Sequence, residues 1–247
     1  MKTSNQLIAC AAAAMAGLLT LSGVGAAPIE TNPVPGFNST SGNPTTDAHG
    51  NQWTACQVAY TGVNDGGAWG ASLHTTAGWV PMTLNGSYYR GVNYNYQSAP
   101  SANGTAFFVE RNWDTGINYN GGFIFKPDVA GTYSWDGKLG WNNWGGGNNA
   151  LDLVFGKFTA AGVWSTLLTT TLSSEPITSY KLIMTDHPEL LNIVLQAGDT
   201  LVVAGKISVQ SQNGNFNFGD TSINLVPEPA SLALLALGGL ALFRRRR

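Results

Sequence analysis

Residues 191–209 have the sequence LNIVLQAGDTLVVAGKISV, in which apolar side chains alternate with others on both sides of an Ala-Gly-Asp turn. Alternation with a period of two is typical of β-strands that bury one face. The two rows that share a face in this way are Leu191, Ile193 and Leu195, then Leu201, Val203, Ile207 and Val209. Gly205 lies in the second row, where it indicates a bulge or a close backbone contact. The stretch predicts two strands joined at residues 197–199.

Similar apolar rows recur along residues 49–225, separated by Gly, Asn and Asp, and no helical pattern precedes the C-terminal tail. These rows are Phe123-Phe125, Leu151-Leu153-Phe155 and Tyr180-Leu182-Met184, with a continuous apolar run at 106–109. Recurring short strands with turn residues between them predict an all-β, antiparallel sandwich. Residues 193–201 resemble the late hairpin of jelly-roll domains, and this resemblance implies a jelly-roll-like arrangement.

The composition restricts the partners of this β-domain. Residues 28–226 contain seven Lys or Arg against thirteen Asp or Glu, a net charge near −6. No basic stripe is present, so we expect no nucleic-acid partner. Charged residues make up only 11% of the chain, and Gly, Asn and Thr are abundant. Such polar, uncharged surfaces suit an extracellular protein in a sugar-rich matrix.

The first 26 residues have the features of a signal peptide, which predicts an N-terminal signal helix. Lys2 supplies a positive charge, and residues 7–21 are almost entirely apolar. Small residues then precede a cleavage site after Ala26, which we favour over cleavage after Ala27 because that cut would place Pro28 next to the scissile bond.

Residues 27–48 follow with four prolines among polar residues, which predicts an extended leader before the domain. Residues 7–10 match a lipobox, which would make Cys10 a lipid attachment point. Cys10 stands too early in the apolar region for that role, and we expect it to leave with the signal peptide. Cys56 is then the single cysteine of the exported chain, which excludes an intramolecular disulfide. Burial is the fate we expect for this thiol.

Residues 226–247 form the most distinctive segment. Two prolines, Pro227 and Pro229, end any preceding strand, because each lacks an N–H. Residues 230–243 carry no charge, and four arginines close the chain. A helix of this apolar run would be about 21 Å long, short for a hydrocarbon core of about 30 Å, although local thinning can accommodate it. The order predicts a short transmembrane helix with its arginines in the cytoplasm.

This tail resembles the PEP-CTERM protein-sorting signal of Gram-negative bacteria. The matching residues are Pro227, Glu228, Pro229, the apolar run, and Arg244, Arg245, Arg246 and Arg247. The resemblance implies that the membrane enzyme exosortase recognises and removes the tail during export. The implied partners are the secretion machinery, exosortase and, transiently, the inner membrane. The implied destination is the cell surface or the extracellular space, where exopolysaccharide is a possible partner.

One loop region suggests a sugar-binding site. Indole rings stack on the C–H faces of sugar rings, and Asn amides bond their hydroxyls. The candidate residues are Trp135, Trp141, Asn142, Asn143, Trp144, Asn148 and Asn149. The alternative is packing, because Trp135 and Trp141 share strand parity and could both face the core. Asp136 and Asp152 supply oxygen ligands for a possible Ca²⁺ ion, although their spacing matches no EF-hand.

No catalytic motif is visible in the chain, and we expect no enzymatic activity. A glycan-active enzyme needs only two carboxylates brought together by the fold, which keeps Glu110, Asp114 and Asp136 open as candidates. The favoured hypothesis is an exported surface or matrix protein with a structural or adhesive β-domain. The alternatives are a secreted carbohydrate-binding module and, after it, the glycan-active enzyme.

Overall fold

The computed structural model describes residues 30–31, 43–58, 71–85, 88–90, 106–109, 120–143, 151–172, 180–207 and 214–226. Within these ranges the chain forms β-strands and short 3₁₀ turns and contains no α-helix. The predicted all-β, antiparallel fold is confirmed. None of the described helical turns has the length and hydropathy needed to cross a bilayer. The predicted signal helix and C-terminal helix lie outside the described residues.

Residues Glu30–Leu225 form one compact unit. Its strands are β1 (Glu30–Thr31), β2 (Thr45–Thr46), β3 (Gln52–Val58), β4 (Trp79–Pro81), β5 (Thr83–Asn85), β6 (Tyr88–Arg90), β7 (Ala106–Val109), β8 (Asn120–Lys126), β9 (Gly131–Asn143), β10 (Leu151–Phe158), β11 (Trp164–Leu172), β12 (Tyr180–Ile183), β13 (Ile193–Leu195), β14 (Thr200–Ile207) and β15 (Gly214–Val226). The 3₁₀ turns are Ala71–His74, Thr76–Gly78, Met184–Asp186 and Pro188–Leu190.

The strands form two large antiparallel sheets and a separate β5–β6 pair. One sheet has six strands in the order β1-β15-β9-β12, with β13 also paired to β9 and β7 also paired to β15. The other has seven strands in the order β11-β10-β14-β8-β3-β2, with β4 also paired to β3. Strands that are adjacent in sequence therefore often belong to different sheets.

The two large sheets share one hydrophobic core. Trp135 of the six-stranded sheet meets Phe123 and Phe155 of the seven-stranded sheet, with ring centroids 6.0 and 5.6 Å apart. Tyr133 meets Phe125 in the same way at 6.0 Å. The predicted inward rows at 123–125, 151–155 and 193–195 all contribute to this core, as do Leu201 and Val203. Their alternation is explained by burial of one strand face against the opposite sheet.

The alternation in residues 191–209 correctly predicted which strand faces are buried. The two strands that it predicted do not pair with each other as a hairpin. Residues 193–195 pair with β9 in the six-stranded sheet, whereas residues 200–207 pair with β8 and β10 in the seven-stranded sheet. The turn between them therefore carries the chain from one sheet to the other. Gly198 has a φ of +88°, which glycine adopts without strain. Asp199 is buried and accepts hydrogen bonds from the backbone N–H groups of Ala160 and Gln196, which holds the crossing in place.

The predicted leader, residues 27–48, is partly incorporated into the fold. Residues 30–31 pair with β15, and residues 45–46 pair with β3. Between them, the Asn43 amide nitrogen donates to the carbonyls of Ala55 (2.8 Å) and Met82 (2.6 Å). Its side-chain oxygen accepts from the N–H of Ala55 at 2.9 Å. Backbone pairing and polar side chains, rather than apolar periodicity, therefore connect residues 30–31 and 43–46 to the described sheets.

The seven-stranded sheet is also covered on the face directed away from the shared core, which we call its outer face. A second apolar cluster lies there, formed by Cys56, Val58, Leu73, Trp79, Val154, Phe158, Val202 and Ala204. The predicted burial of Cys56 is confirmed, and this burial raises the pKa of its thiol to about 12. Burial and the nearby Asp128 also raise the pKa of Tyr133.

Candidate functional site

The first candidate site is the C-terminal end of β15, which immediately precedes the tail in the sequence. Ile223 is fully buried in the shared core, and Leu225 packs against that core from its edge. A Cβ atom on Gly131 would lie 2.5 Å from Leu225 Cδ1, so the Leu225 side chain rests directly on the Gly131 backbone. The strand ends at Val226, and Pro227 follows immediately. No spacer therefore separates the folded domain from the Pro-Glu-Pro tripeptide.

The beginning of the compact unit lies beside the same strand end. Glu30 is opposite Asn224, and Thr31 is opposite Ile223, in an antiparallel pair. Because β1 starts only a few residues after the predicted signal cleavage at Ala26 and Ala27, the two segments predicted to be processed join the domain on adjacent strands. This pairing could not be predicted from the sequence, since a two-residue strand has no detectable periodicity.

The predicted sugar-binding residues do not all serve one site. Trp135 is only 1% exposed and packs inside the shared core, so its indole has no free face for a sugar ring. For this residue the packing alternative is correct. Trp141, Asn142 and Asn143 lie at the end of β9, whose backbone is described there. Trp144, Asn148 and Asn149 lie outside the described residues, so the remainder of this site stays a prediction.

The two carboxylates considered for Ca²⁺ lie on opposite sides of the domain. Asp136 follows the buried Trp135 on β9 and is exposed on the far side of the six-stranded sheet. Asp152 lies between the buried Leu151 and Leu153 on β10, on the outer face of the seven-stranded sheet. Two sheets packed about 10 Å apart separate them, so they cannot ligate one ion. Within the described ranges, no three His, Cys, Asp or Glu side chains lie close enough to hold a metal.

Of the three carboxylates considered for glycan hydrolysis, only Asp136 lies in the described part of the chain. Asp136 accepts a hydrogen bond from the N–H of Gly137 at 2.6 Å and faces solvent. Glu110 and Asp114 lie outside the described residues. Asp47, which sequence analysis did not single out, accepts from the N–H groups of His49 and Asn51 and from Trp53 Nε1. The carboxylate oxygens of Asp47 therefore accept hydrogen bonds that stabilise a turn.

An aromatic group that sequence analysis missed lies on the outer face of the seven-stranded sheet. The indole of Trp164 is 5.0 Å from Phe158, 6.4 Å from Trp79 and 5.5 Å from the imidazole of His74, measured between ring centroids. Trp79 and Phe158 are buried, Trp164 is half-buried and His74 is exposed. We call these four side chains the Trp164 group.

A bulge explains why the sequence pattern did not identify this group. Phe155 is opposite Leu168 and Gly156 is opposite Thr166, so Leu167 is an extra residue in β11. The extra residue reverses the strand parity, which places Trp164 on the outer face although Leu168 faces the core. Gly156 was the available signal, because a glycine within the apolar strand β10 indicates a close contact with another group.

Comparison with known proteins identifies the class of the tail. The order of residues at the C-terminus is that of a terminal sorting signal. A family model for the PEP-CTERM protein-sorting motif matches residues 225–247. The C-terminal tail thus carries a PEP-CTERM protein-sorting motif, and the predicted resemblance of the tail is confirmed. The motif supports export through C-terminal sorting and processing by exosortase-type machinery at a membrane. No curated protein and no solved structure matches the chain.

Proposed function

We propose that this protein is exported to the cell surface or the extracellular matrix, where its β-domain acts as a structural or adhesive module. The observation that carries the proposal is the direct continuity of β15 with the sorting motif, which begins at residue 225 within the strand. The domain is then the cargo of the tail. Its architecture in this proposal is a jelly-roll-like sandwich, supported by the shared core and by repeated crossings between the sheets.

The physical character of the domain supports a role outside the cell. Its stability comes from a large aromatic and aliphatic core, and its described cysteine is a buried free thiol. A domain held together by such a core does not depend on a disulfide. The exported residues 28–226 carry few charges, so their surface is suited to neutral and hydrated surroundings.

Mass spectrometry of the released protein tests the sorting step. The full chain is expressed in a host that contains exosortase and in the same host without it, and the termini of the released protein are determined. We expect the released form to begin at Ala27 and to end near Pro227, Glu228 and Pro229. Replacing these three residues together by alanine should leave the protein unprocessed and attached to membranes. Release of a chain that still ends in Arg247 would contradict the proposal.

A deletion strain tests the structural or adhesive role separately. Loss of the gene should weaken cell aggregation or surface attachment, and the full chain should restore it. A chain that lacks residues 226–247 should fail to restore the phenotype although its domain is intact. If the truncated chain restores it fully, sorting through the tail is not required for the role.

A further inference from the structure

The Trp164 indole lies with one ring face on the backbone of the seven-stranded sheet. A Cβ atom on Gly156 would lie 2.2 Å from Cη2 of Trp164 and 2.6 and 2.8 Å from the two neighbouring ring carbons. A point at such similar distances from three consecutive ring atoms lies above the ring and not beyond its edge. The benzene ring of the indole therefore faces Gly156. Trp164 is half-buried, and Gly156 covers the ring face towards the sheet, so the accessible part of the indole is not on that face.

The ring is held in place before any ligand arrives. The Nε1–H group of Trp164 donates to Thr166 Oγ1 at 2.8 Å, and Phe158 and Trp79 pack against the indole. Trp79 is itself fixed, because its Nε1–H group donates to the Leu73 carbonyl at 3.0 Å. A ring that is already ordered loses little side-chain entropy on binding, which favours affinity.

Two polar side chains lie beside this ring. The imidazole of His74 is exposed and tilted by 52° to the indole, and Thr166, which accepts the indole N–H, is also exposed. None of these described neighbours carries a carboxylate or an ammonium group. Asp152, on the same row of β10, is four residues or about 13 Å from Gly156 along the strand.

We propose that the Trp164 group is a binding site for a neutral sugar ring of a polysaccharide. Trp164 provides the flat apolar surface on which the C–H face of a pyranose stacks, and His74 exchanges hydrogen bonds with its hydroxyl groups. An indole with its N–H already satisfied by Thr166 presents only its π-face, which matches the apolar side of a sugar. Because the described side chains in contact with the ring include no carboxylate and no ammonium group, we expect a neutral sugar rather than a uronic acid or a sulfated one.

Affinity electrophoresis of the exported, processed protein tests the proposal, with gels that contain soluble cellulose derivative, xylan, dextran or alginate. We expect retardation by at least one of the neutral polysaccharides and none by alginate, which is a polyuronate. Trp164→Ala should weaken the affinity by about tenfold or more. His74→Ala should weaken it by about fivefold without a change in melting temperature, because the imidazole is exposed.

A matched control separates binding from folding. His49→Ala changes an equally exposed histidine in the turn before β3 and should leave both affinity and melting temperature unchanged. Trp164→Phe keeps an aromatic cover over the second apolar cluster and should retain part of the affinity. Wild-type protein that none of the neutral polysaccharides retards would overturn the proposal. Unchanged affinity in both Trp164→Ala and His74→Ala would overturn it as well, and neither result would affect the sorting function.

Discussion

The side chain of Asn43 replaces a strand at the outer edge of β3, and its loss should destabilise the whole domain. β2 pairs with β3 at residues 52–53 and β4 pairs with it at residues 56–58, which leaves Ala55 between the two. Asn43 fills this gap with three hydrogen bonds, two donated to the carbonyls of Ala55 and Met82 and one accepted from the Ala55 N–H. Ala55 and Met82 are buried, so water cannot substitute for the side chain.

Asn43→Asp tests this role with almost no change in shape. A carboxylate accepts but does not donate, so the two carbonyls lose their donor while the Ala55 N–H keeps its acceptor. The Ala55 carbonyl still accepts a hydrogen bond from the Met82 N–H at 2.9 Å, so this carbonyl loses only one of its two donors. At about 1–3 kcal/mol for each buried group that loses its partner, we expect the free energy of unfolding to fall by about 2–4 kcal/mol at neutral pH.

Urea denaturation followed by tryptophan fluorescence measures this effect. Asn192→Asp is the matched control, because Asn192 is exposed and its φ of +57° suits Asp as well as Asn. We expect the control to stay within about 0.5 kcal/mol of the wild type. Below about pH 4 the new carboxyl gains an O–H donor, so the deficit of Asn43→Asp should shrink. A deficit at neutral pH no larger than that of the control would refute the account of residues 43–46 as part of the fold.

Three further changes probe the core, the thiol and the Trp164 group. Trp135→Ala should lower the free energy of unfolding by about 3–5 kcal/mol, measured by urea denaturation, because its ring is enclosed by the shared core; a loss below about 1 kcal/mol would contradict that burial. Cys56 should resist thiol reagents in the native state. Its raised pKa favours the protonated thiol in the folded protein, so its stabilising contribution is complete below about pH 9 and is lost as the pH rises towards 12. The wild type should therefore lose about 2 kcal/mol more than Cys56→Ala between about pH 8 and 10.5, and equal pH profiles would argue against this role. Gly156→Ala should displace the Trp164 indole and weaken polysaccharide retardation by about tenfold, while the same change at the half-buried Gly162, where φ is +77° but the added Cβ meets only ordinary contacts, should leave retardation unchanged.

Apolar alternation predicted which side chains are buried, and it could not predict which strands pair. Ile193 and Leu195 point into the core from one sheet, and Leu201 and Val203 point into it from the other. A hairpin within one sheet would bury the same four residues, so the pattern is equally compatible with both topologies. The choice depends on contacts distant in sequence, such as the hydrogen bond from the Ala160 N–H to Asp199.

The two misjudged site features have a related physical cause. Trp135 was grouped with nearby asparagines because they are close in sequence, yet strand alternation sends its ring into the core. Trp164 was overlooked because the bulge at Leu167 shifts its parity, and a bulge leaves no mark in a run such as WSTLLTTTL. The sorting tail was predictable because its recognition depends on linear order alone, without any contribution from folding.

The packing at the end of β15 limits where the chain can be processed without damage to the domain. A cut before Leu225 would remove the side chain that covers Gly131. A cut after Val226 leaves every described contact of β15 in place, because the strand ends there. At the other end, cleavage after Ala26 spares β1, which begins at Glu30. Both predicted sorting segments can thus be cut off close to β1 and β15 without loss of a described contact. A cargo that loses both segments during export requires this property.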